Sequence, residues 1–478
     1  MPTILGAGQL DTSYDVANSA RFNKPNAAFL SRSISSTGSQ TLMTVSCWVK
    51  RSNFGAEQTI FSNKISSAGA NSMKLAFYSS DTLAFAHAKT DDTSRDIRTN
   101  RLFRDPAAWY HIVGTVDTTS GTQANRIRLY VNGVEETSLA SSTYPAQNET
   151  MRLSNSSYPH TIGEDPRDNS NFDGYIAEMH CLDGTAYGPD FFGETNSNGV
   201  WVPKEYTGGN YGTNGFYMEF KQTGTSANSS GKGADTSGND NHFDDSNMDA
   251  HDITTDSPTN NYCTMNPLYK SVTGSTNKMT YKNGALRVEG GSDSSSQSTV
   301  GLANGKWYWE VNYGQAVADR QGYPQIGVSK AGNVNNGQMV GFHTPDGTNY
   351  RGKIAGTVVA NAFDGTPAQS DKIGFYLDLD NGTLIVHQNG SDFMNTGASS
   401  GLDFSSASFS DDTGFFHPHY NTNANSAHSE DFNFGGAVSF TVSSANADAN
   451  GHGKFEYNPT ISSTNYYALN SKNLAEFG

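Results

Sequence analysis

The amino-acid sequence predicts an all-β chain folded as two β-sandwich domains. Three observations carry this. Apolar and polar residues alternate in short runs such as Leu42–Lys50 and Ile127–Asn132, the period of a strand with two unlike faces. Gly, Ser, Thr and Asn fill the stretches between, and these residues form turns well and helices poorly. Aromatic residues make up 11% of the chain against 16% charged, which is core-building material that disordered chains lack. At 478 residues one core does not suffice, so two domains are expected.

In chain order, residues 1–13 read as an N-terminal arm, with neither the charged start nor the long apolar core of a secretory signal. The first domain is expected over 14–257. Val45, Cys47 and Val49 share one strand face there, with Thr44, Ser46 and Trp48 on the other. Asn132-Gly133 after Ile127–Val131 supplies the two positive-φ residues of a tight hairpin turn. Asp256-Ser257-Pro258-Thr259-Asn260-Asn261 holds a proline and no apolar pattern, so 258–266 is expected to be a linker. The second domain follows over 267–460. Trp307, Trp309 and Val311 share a face, with Tyr308 and Glu310 turned away. If Asn381-Gly382 is a two-residue turn, Leu379 pairs with Leu384 and Leu377 with Val386, which buries four aliphatic residues together. Residues 461–478 form a C-terminal tail that keeps its aromatic residues and is expected to dock, either on its own domain or on a neighbouring subunit. Asn470–Phe477 can make one short helical turn.

The net charge of −16 and the lack of a Lys/Arg cluster argue against nucleic acid and an anionic bilayer as partners. No apolar run reaches the roughly 20 residues of a membrane span. Cys47, Cys181 and Cys263 are odd in number and widely spaced, which fits buried reduced thiols better than a disulfide framework or a zinc site.

The first domain resembles the laminin-G-like, concanavalin A-like lectin family, on Val45-Ser46-Cys47-Trp48-Val49-Lys50, Trp109-Tyr110-His111-Ile112-Val113, Leu129-Tyr130-Val131-Asn132-Gly133 and Phe172-Asp173-Gly174-Tyr175-Ile176-Ala177-Glu178. That resemblance implies a two-sheet jelly roll. The second resembles the SPRY family, on Gly305-Lys306-Trp307-Tyr308-Trp309-Glu310-Val311, Ile326-Gly327-Val328-Ser329, Ile373-Gly374-Phe375-Tyr376-Leu377-Asp378, Asn389-Gly390 and Asp431-Phe432-Asn433-Phe434-Gly435. It implies a bent sandwich whose loops bind proteins. The pairing, with the stretches 14–23, 256–261 and 467–478, is similar to virion structural proteins of marine tailed phages. The implied function is a tail fibre or appendage adhesin that binds host-surface glycan or protein. Implied partners are other virion proteins and further copies of the chain, a trimer first. A capsid decoration or head-fibre protein is the alternative, and a glycan hydrolase a more distant one.

No enzyme is expected. The Glu-x-Asp-x-x-Glu strand of the glucanase relatives, which sets two carboxylates on one face for retaining hydrolysis, is absent; Glu178 with Asp183 is the nearest pair. The H-E-x-x-H, G-x-S-x-G and P-loop patterns are absent too. No cofactor is required, and calcium is the metal to consider. Asp165, Asp168, Asn169, Asn171 and Asp173 gather the oxygen donors that a hard cation takes, at a rim where the resemblance implies calcium. Arg167 lies within the same loop, and the spacing is not that of an EF-hand, so a turn-rich connector is the competing reading. For a glycan, aromatic platforms on polar loops are needed; Tyr158, Tyr206, Tyr211, Tyr313, Tyr323 and Tyr350 lie in such stretches.

Overall fold

The structure, a computed structural model, describes residues 12–63, 73–88, 94–166, 170–269, 279–290, 294–314, 324–330, 339–343, 350–395, 400–409, 414–422 and 428–478. The chain divides into two compact units between Asn260 and Asn261. Both are all-β sandwiches, as expected. Among the described residues there is one α-helix, Ser471–Phe477.

One sheet of the first unit runs, across its width, Val134–Glu135, Ile127–Val131, Trp109–Asp117, Leu42–Arg51, Gly174–Asp183, Ser19–Phe22 and Ile253–Thr254, with Phe216–Met218 also paired to Gly174–Asp183. The facing sheet runs Leu139–Thr143, Ser94–Leu102, Thr82–Ala88, Met73–Phe77, Gln58–Asn63, His160–Ile162, Phe29–Arg32 and Asp244–Ser246. Val45, Cys47, Val49, Ile112 and Ile176 from the first meet Phe61, Leu75, Phe77 and Phe85 from the second in one core. Asn132 and Gly133 stand at φ +49° and +79°, and Val131 pairs with Val134, the twist-matched two-residue turn that the dipeptide favours.

The strand Leu42–Arg51 is buried on both faces rather than one. Trp48, on the face away from the core, stacks on His111 at 4.9 Å, and Trp201 lies over the same imidazole at 6.0 Å. The Trp201 Nε1–H donates to His111 Nδ1 at 3.0 Å. That donation makes Nδ1 the acceptor, so Nε2–H is left to donate to Ser46 Oγ at 2.9 Å. Burial pushes the His111 pKa down to about 3, so the ring is neutral.

The second unit has a larger sheet with Thr280–Lys282, Arg287–Gly290, His428–Asn433, Lys306–Tyr313, Lys372–Asp378, Thr383–Gln388 and Ser391–Asp392 in order. Its smaller sheet runs Ser294–Gln297, Phe416–Thr422, Gln325–Lys330, Met339–His343, Arg351–Ile354 and Thr357–Val359. Trp309 stacks on Phe375 at 5.1 Å, and Phe342 of the smaller sheet meets Phe375 at 5.9 Å. The opposite face of the larger sheet is buried as well. Tyr308 and Tyr376 pack there with Phe455, Tyr466 and Ala468. Glu310, fully buried, accepts from Tyr308 Oη at 2.9 Å, Asn433 Nδ2 at 3.0 Å, and the backbone N–H groups of Glu456 and Tyr457 at 3.0 and 2.8 Å. It fastens the covering segment to the sheet.

Two sequence expectations need correction here. The hairpin at Asn381-Gly382 pairs Asp378 with Thr383, Leu377 with Leu384 and Phe375 with Val386, so its loop has four residues, 379–382. Gly382 alone adopts positive φ, at +67°, whereas a tight two-residue turn of the Asn-Gly kind needs two such residues. The Asp378 carboxylate takes the Asn381 N–H at 3.0 Å and its Nδ2 at 2.8 Å, and this closes the longer loop. A shift of two residues preserves the faces, so Leu377 and Leu384 still reach the core. The expected linker, 258–266, is packed rather than extended. Thr259 Oγ1 donates to Val16 O at 3.0 Å, Cys263 N–H donates to Leu469 O at 2.9 Å, and Met265 is fully buried. The tail docks on its own unit, with Tyr467–Ala468 pairing in parallel with Trp307 and Tyr308.

Candidate functional site

The strand Gly174–Asp183 carries the most unusual residue of the first unit. Its pairing with Leu42–Arg51 slips between Ala177 and His180, so Glu178 and Met179 together oppose Cys47. Glu178 takes φ +47°, a left-handed conformation that costs a side-chain-bearing residue roughly 1–2 kcal/mol. The bulge changes which face each residue meets. Ile176, Met179 and Cys181 all reach the core, while Glu178 and His180 turn to the outer face.

There Glu178 meets two tyrosines. Tyr217 Oη lies 2.8 and 2.9 Å from the two carboxylate oxygens, and Tyr14 Oη lies 3.1 Å from one of them and 3.0 Å from the Tyr217 hydroxyl. The Tyr217 ring stacks on His180 at 4.2 Å and 7°. His180 Nδ1 is 3.0 Å from Tyr211 Oη, and its Nε2 is 3.8 Å from Glu178. Tyr206 stacks on Phe192 at 5.1 Å and edges against Tyr211 at 5.2 Å. Beside them Tyr187 and Phe191 form a stacked pair at 3.9 Å, with Phe191 41% exposed.

Burial drives the Tyr217 hydroxyl far above the ordinary phenol value, and the Glu178 charge adds to it. Burial raises Tyr14 and Tyr211 in the same direction. It pushes Tyr206 up to about 12. These hydroxyls keep their protons at neutral pH and act as hydrogen-bond donors. One O–H from each of two tyrosines leaves acceptor capacity on the Glu178 carboxylate. Asp183, the other acid of the strand, is committed to structure: its oxygens hold Ser39 N–H at 2.8 Å and Asn214 N–H at 3.0 Å. The arrangement offers flat aromatic faces beside a carboxylate and phenolic donors. That chemistry binds a ligand with C–H faces and hydroxyls.

The expected site residues separate into groups. Tyr206 and Tyr211 belong to this cluster, with Tyr211 buried. Tyr158 is half-buried, with the Arg152 guanidinium 5.4 Å over its ring. Tyr313 and Tyr350 are not loop platforms: they are 2% and 7% exposed and pair hydroxyl to hydroxyl at 3.1 Å inside the second unit. Tyr323, Asp168 and Asn169 lie outside the described residues. The calcium candidates among the described residues, Asp165, Asn171 and Asp173, are all buried. Asp165 is fully buried against Lys74 Nζ at 3.3 Å. Asn171 is 3% exposed. Asp173 accepts from Ser52 Oγ at 3.3 Å and Asn53 Nδ2 at 3.2 Å, and burial pushes its pKa up to about 6. Among the described residues, no group of three or more His, Cys, Asp or Glu could hold a metal. Sequence reasoning passed over Tyr14, His180, Tyr187, Phe191 and Tyr217. The signal that could have found them is a glutamate set between Ala177 and Met179, followed by His180, in a strand that otherwise sends Ile176, Met179 and Cys181 to the core.

Residues 26–186, within the first unit, match the family described as the concanavalin A-like lectin/glucanases superfamily. No curated protein matches the chain. Among solved structures, a SAP-like pentraxin from Limulus polyphemus is similar at 16% identity over 37% of this chain and 80% of that one, with a TM-score of 0.28. The SPRY domain of human HERC1 is similar at 14% identity over 34% of this chain and 94% of its own, with a TM-score of 0.25. A proposed carbohydrate binding protein from Bacteroides ovatus is similar at 13% identity over 49% of this chain and 58% of its own, with a TM-score of 0.32.

Proposed function

We propose that the chain is a non-enzymatic binding protein of a tailed-phage virion, a tail fibre or appendage adhesin that engages host-surface glycan. The observation that carries the binding reading is the Glu178, Tyr217 and Tyr14 network beside the stacked Tyr187–Phe191 pair. A carboxylate that accepts from sugar hydroxyls, next to rings that cover a sugar's C–H face, is glycan chemistry. The concanavalin A-like match over 26–186 supports a carbohydrate or protein ligand. The virion reading rests on the sequence resemblance of 14–23, 256–261 and 467–478. Several copies on one particle, a trimer first, would turn weak single sites into firm attachment.

The test has two arms. The purified chain is applied to arrayed bacterial surface glycans beside its Glu178→Gln variant. Retention by the parent and its loss in the variant support the site, whereas equal retention removes it. Gold-tagged antibody against the chain is then applied to virions. Label on the tail or its fibres supports the adhesin reading, label over the head replaces it with decoration, and no label ends the virion assignment.

A further inference from the structure

Among the described residues, three side chains reach the Glu178 carboxylate. Tyr217 and His180 stand on strands of the sheet, and Tyr14 stands on none. Tyr14 belongs to the strap of chain before the first strand, and side-chain hydroxyls hold that strap down. Ser13 Oγ donates to Glu194 Oε1 at 2.7 Å, and the Tyr14 hydroxyl lies 3.1 Å from Glu178 Oε2 and 3.0 Å from Tyr217 Oη. Among the described residues, neither Ser13 nor Tyr14 makes a backbone hydrogen bond. The anchorage changes at Val16. It is 2% exposed, its N–H donates to Thr259 Oγ1 at 3.0 Å, and its carbonyl accepts from the same hydroxyl. Asp15, exposed, joins the anchored chain to the strap.

Acceptor capacity remains on the carboxylate, but the Glu178 side chain is only 9% exposed. Access therefore limits an external hydroxyl. Tyr14 is the cover held most lightly, because a segment without backbone hydrogen bonds opens before the strands do. Its side chain is also a six-membered ring with a hydroxyl at the edge, which is what a pyranose presents to a carboxylate set among aromatic rings. We propose that Tyr14 is an internal ligand. In the free protein it occupies the seat of the external one, and residues 12–14 swing out about Asp15 when another hydroxyl-bearing ring replaces it. The parent chain then binds with an affinity reduced by the fraction of molecules whose strap is open. That the external ligand is a glycan rests on the proposed function; the exchange of Tyr14 for another ring does not.

The experiment uses the full chain, its Tyr14→Ala variant, and a double variant that adds Glu178→Gln to Tyr14→Ala. The probe is p-cresol, the tyrosine side chain itself, followed by ligand-observed saturation-transfer NMR. Tyr14→Ala is expected to bind p-cresol about tenfold more tightly than the parent does, and the double variant to lose that gain. Glycan retention on the array is expected to rise about tenfold in Tyr14→Ala. Circular dichroism checks folding. Should Tyr14→Ala unfold, Tyr14→Phe, which keeps the ring and drops the hydroxyl, takes its place under the same criteria. Binding of p-cresol to parent and variant alike, or to neither, overturns the proposal. So does a parent that retains glycan as well as Tyr14→Ala or better; there, loss of retention in Glu178→Gln leaves the glycan site standing without the strap. Seating of p-cresol in Tyr14→Ala with no glycan retained by any variant keeps the internal ligand and removes the glycan reading.

Discussion

Tyr217 and Glu178 are joined side chain to side chain, with the phenol hydroxyl 2.8 and 2.9 Å from the two carboxylate oxygens. The bulge makes the contact possible. In an unbroken strand Glu178 would share the core face of Ile176. The unit tolerates backbone strain at this position and places a carboxylate among aromatic rings as a result.

The exposed end of that surface is Phe191, 41% exposed and stacked on Tyr187. Phe191→Ala is expected to alter stability by less than about 1 kcal/mol while weakening glycan retention. Thermal unfolding and array binding measured together check this. A large loss of stability would mean that the ring serves packing instead.

Trp201 is wedged between two glycines. A Cβ on Gly133 would lie 2.5 Å from its ring, and one on Gly193 2.6 Å. Gly133→Ala also forces a side chain onto φ +79°. The expected cost is about 2–4 kcal/mol, read from the urea midpoint of the first unit.

Lys50 and Asp256 form an ion pair at 2.8 Å with both side chains 1% exposed, and Trp109 Nε1 donates to the same carboxylate at 3.3 Å. Asp256→Ala removes this carboxylate from beside the buried ammonium and is expected to cost about 3–5 kcal/mol. Chemical denaturation of the first unit measures it.

Glu430 is fully buried, with one oxygen on Gly314 N–H at 3.0 Å and no hydrogen-bond partner for the other among the described residues. Burial holds its carboxyl well above the ordinary glutamate range. The folded state therefore binds this proton more tightly than the unfolded chain does. The contribution to stability is complete below the unfolded-chain value near 4.5 and is lost as pH rises through the folded value. Glu430→Gln should remove that slope. Calorimetry from about pH 4.5 to 8 should give curves for the two proteins that diverge with rising pH; parallel curves would falsify it.

Local signals in the sequence carried the strands well. Asn132-Gly133 made the turn its dihedral preference demands, and Trp309 and Val311 went to one face because a strand alternates. Non-local facts were hidden. Thr44, Ser46 and Trp48 read as a solvent face, yet 187–217 covers them. Tyr308 and Glu310 read likewise, yet 455–468 buries them. A polar cover has no periodicity to betray where it lands. The bulge at Glu178 was invisible for a related reason: one extra residue leaves composition unchanged and moves only register. The tyrosines illustrate the same limit. Tyr211 and Tyr313 sit in similar Gly-rich stretches, and only tertiary packing sends one to the aromatic cluster beside Glu178 and the other to an interior hydroxyl pair.

The strand Ser19–Phe22 lies between Gly174–Asp183 and Ile253–Thr254, and Ser19 hydrogen-bonds Thr254 across 235 residues of sequence. During synthesis this early segment therefore waits, edge groups unpaired, while nearly the whole unit is made behind it. Such closure is slow, because a large loop must be ordered before any contact rewards it. The waiting strand is also open to pairing with another nascent copy. Yield of this protein in a heterologous host should thus respond more to translation speed and chaperone supply than to the stability of the finished fold.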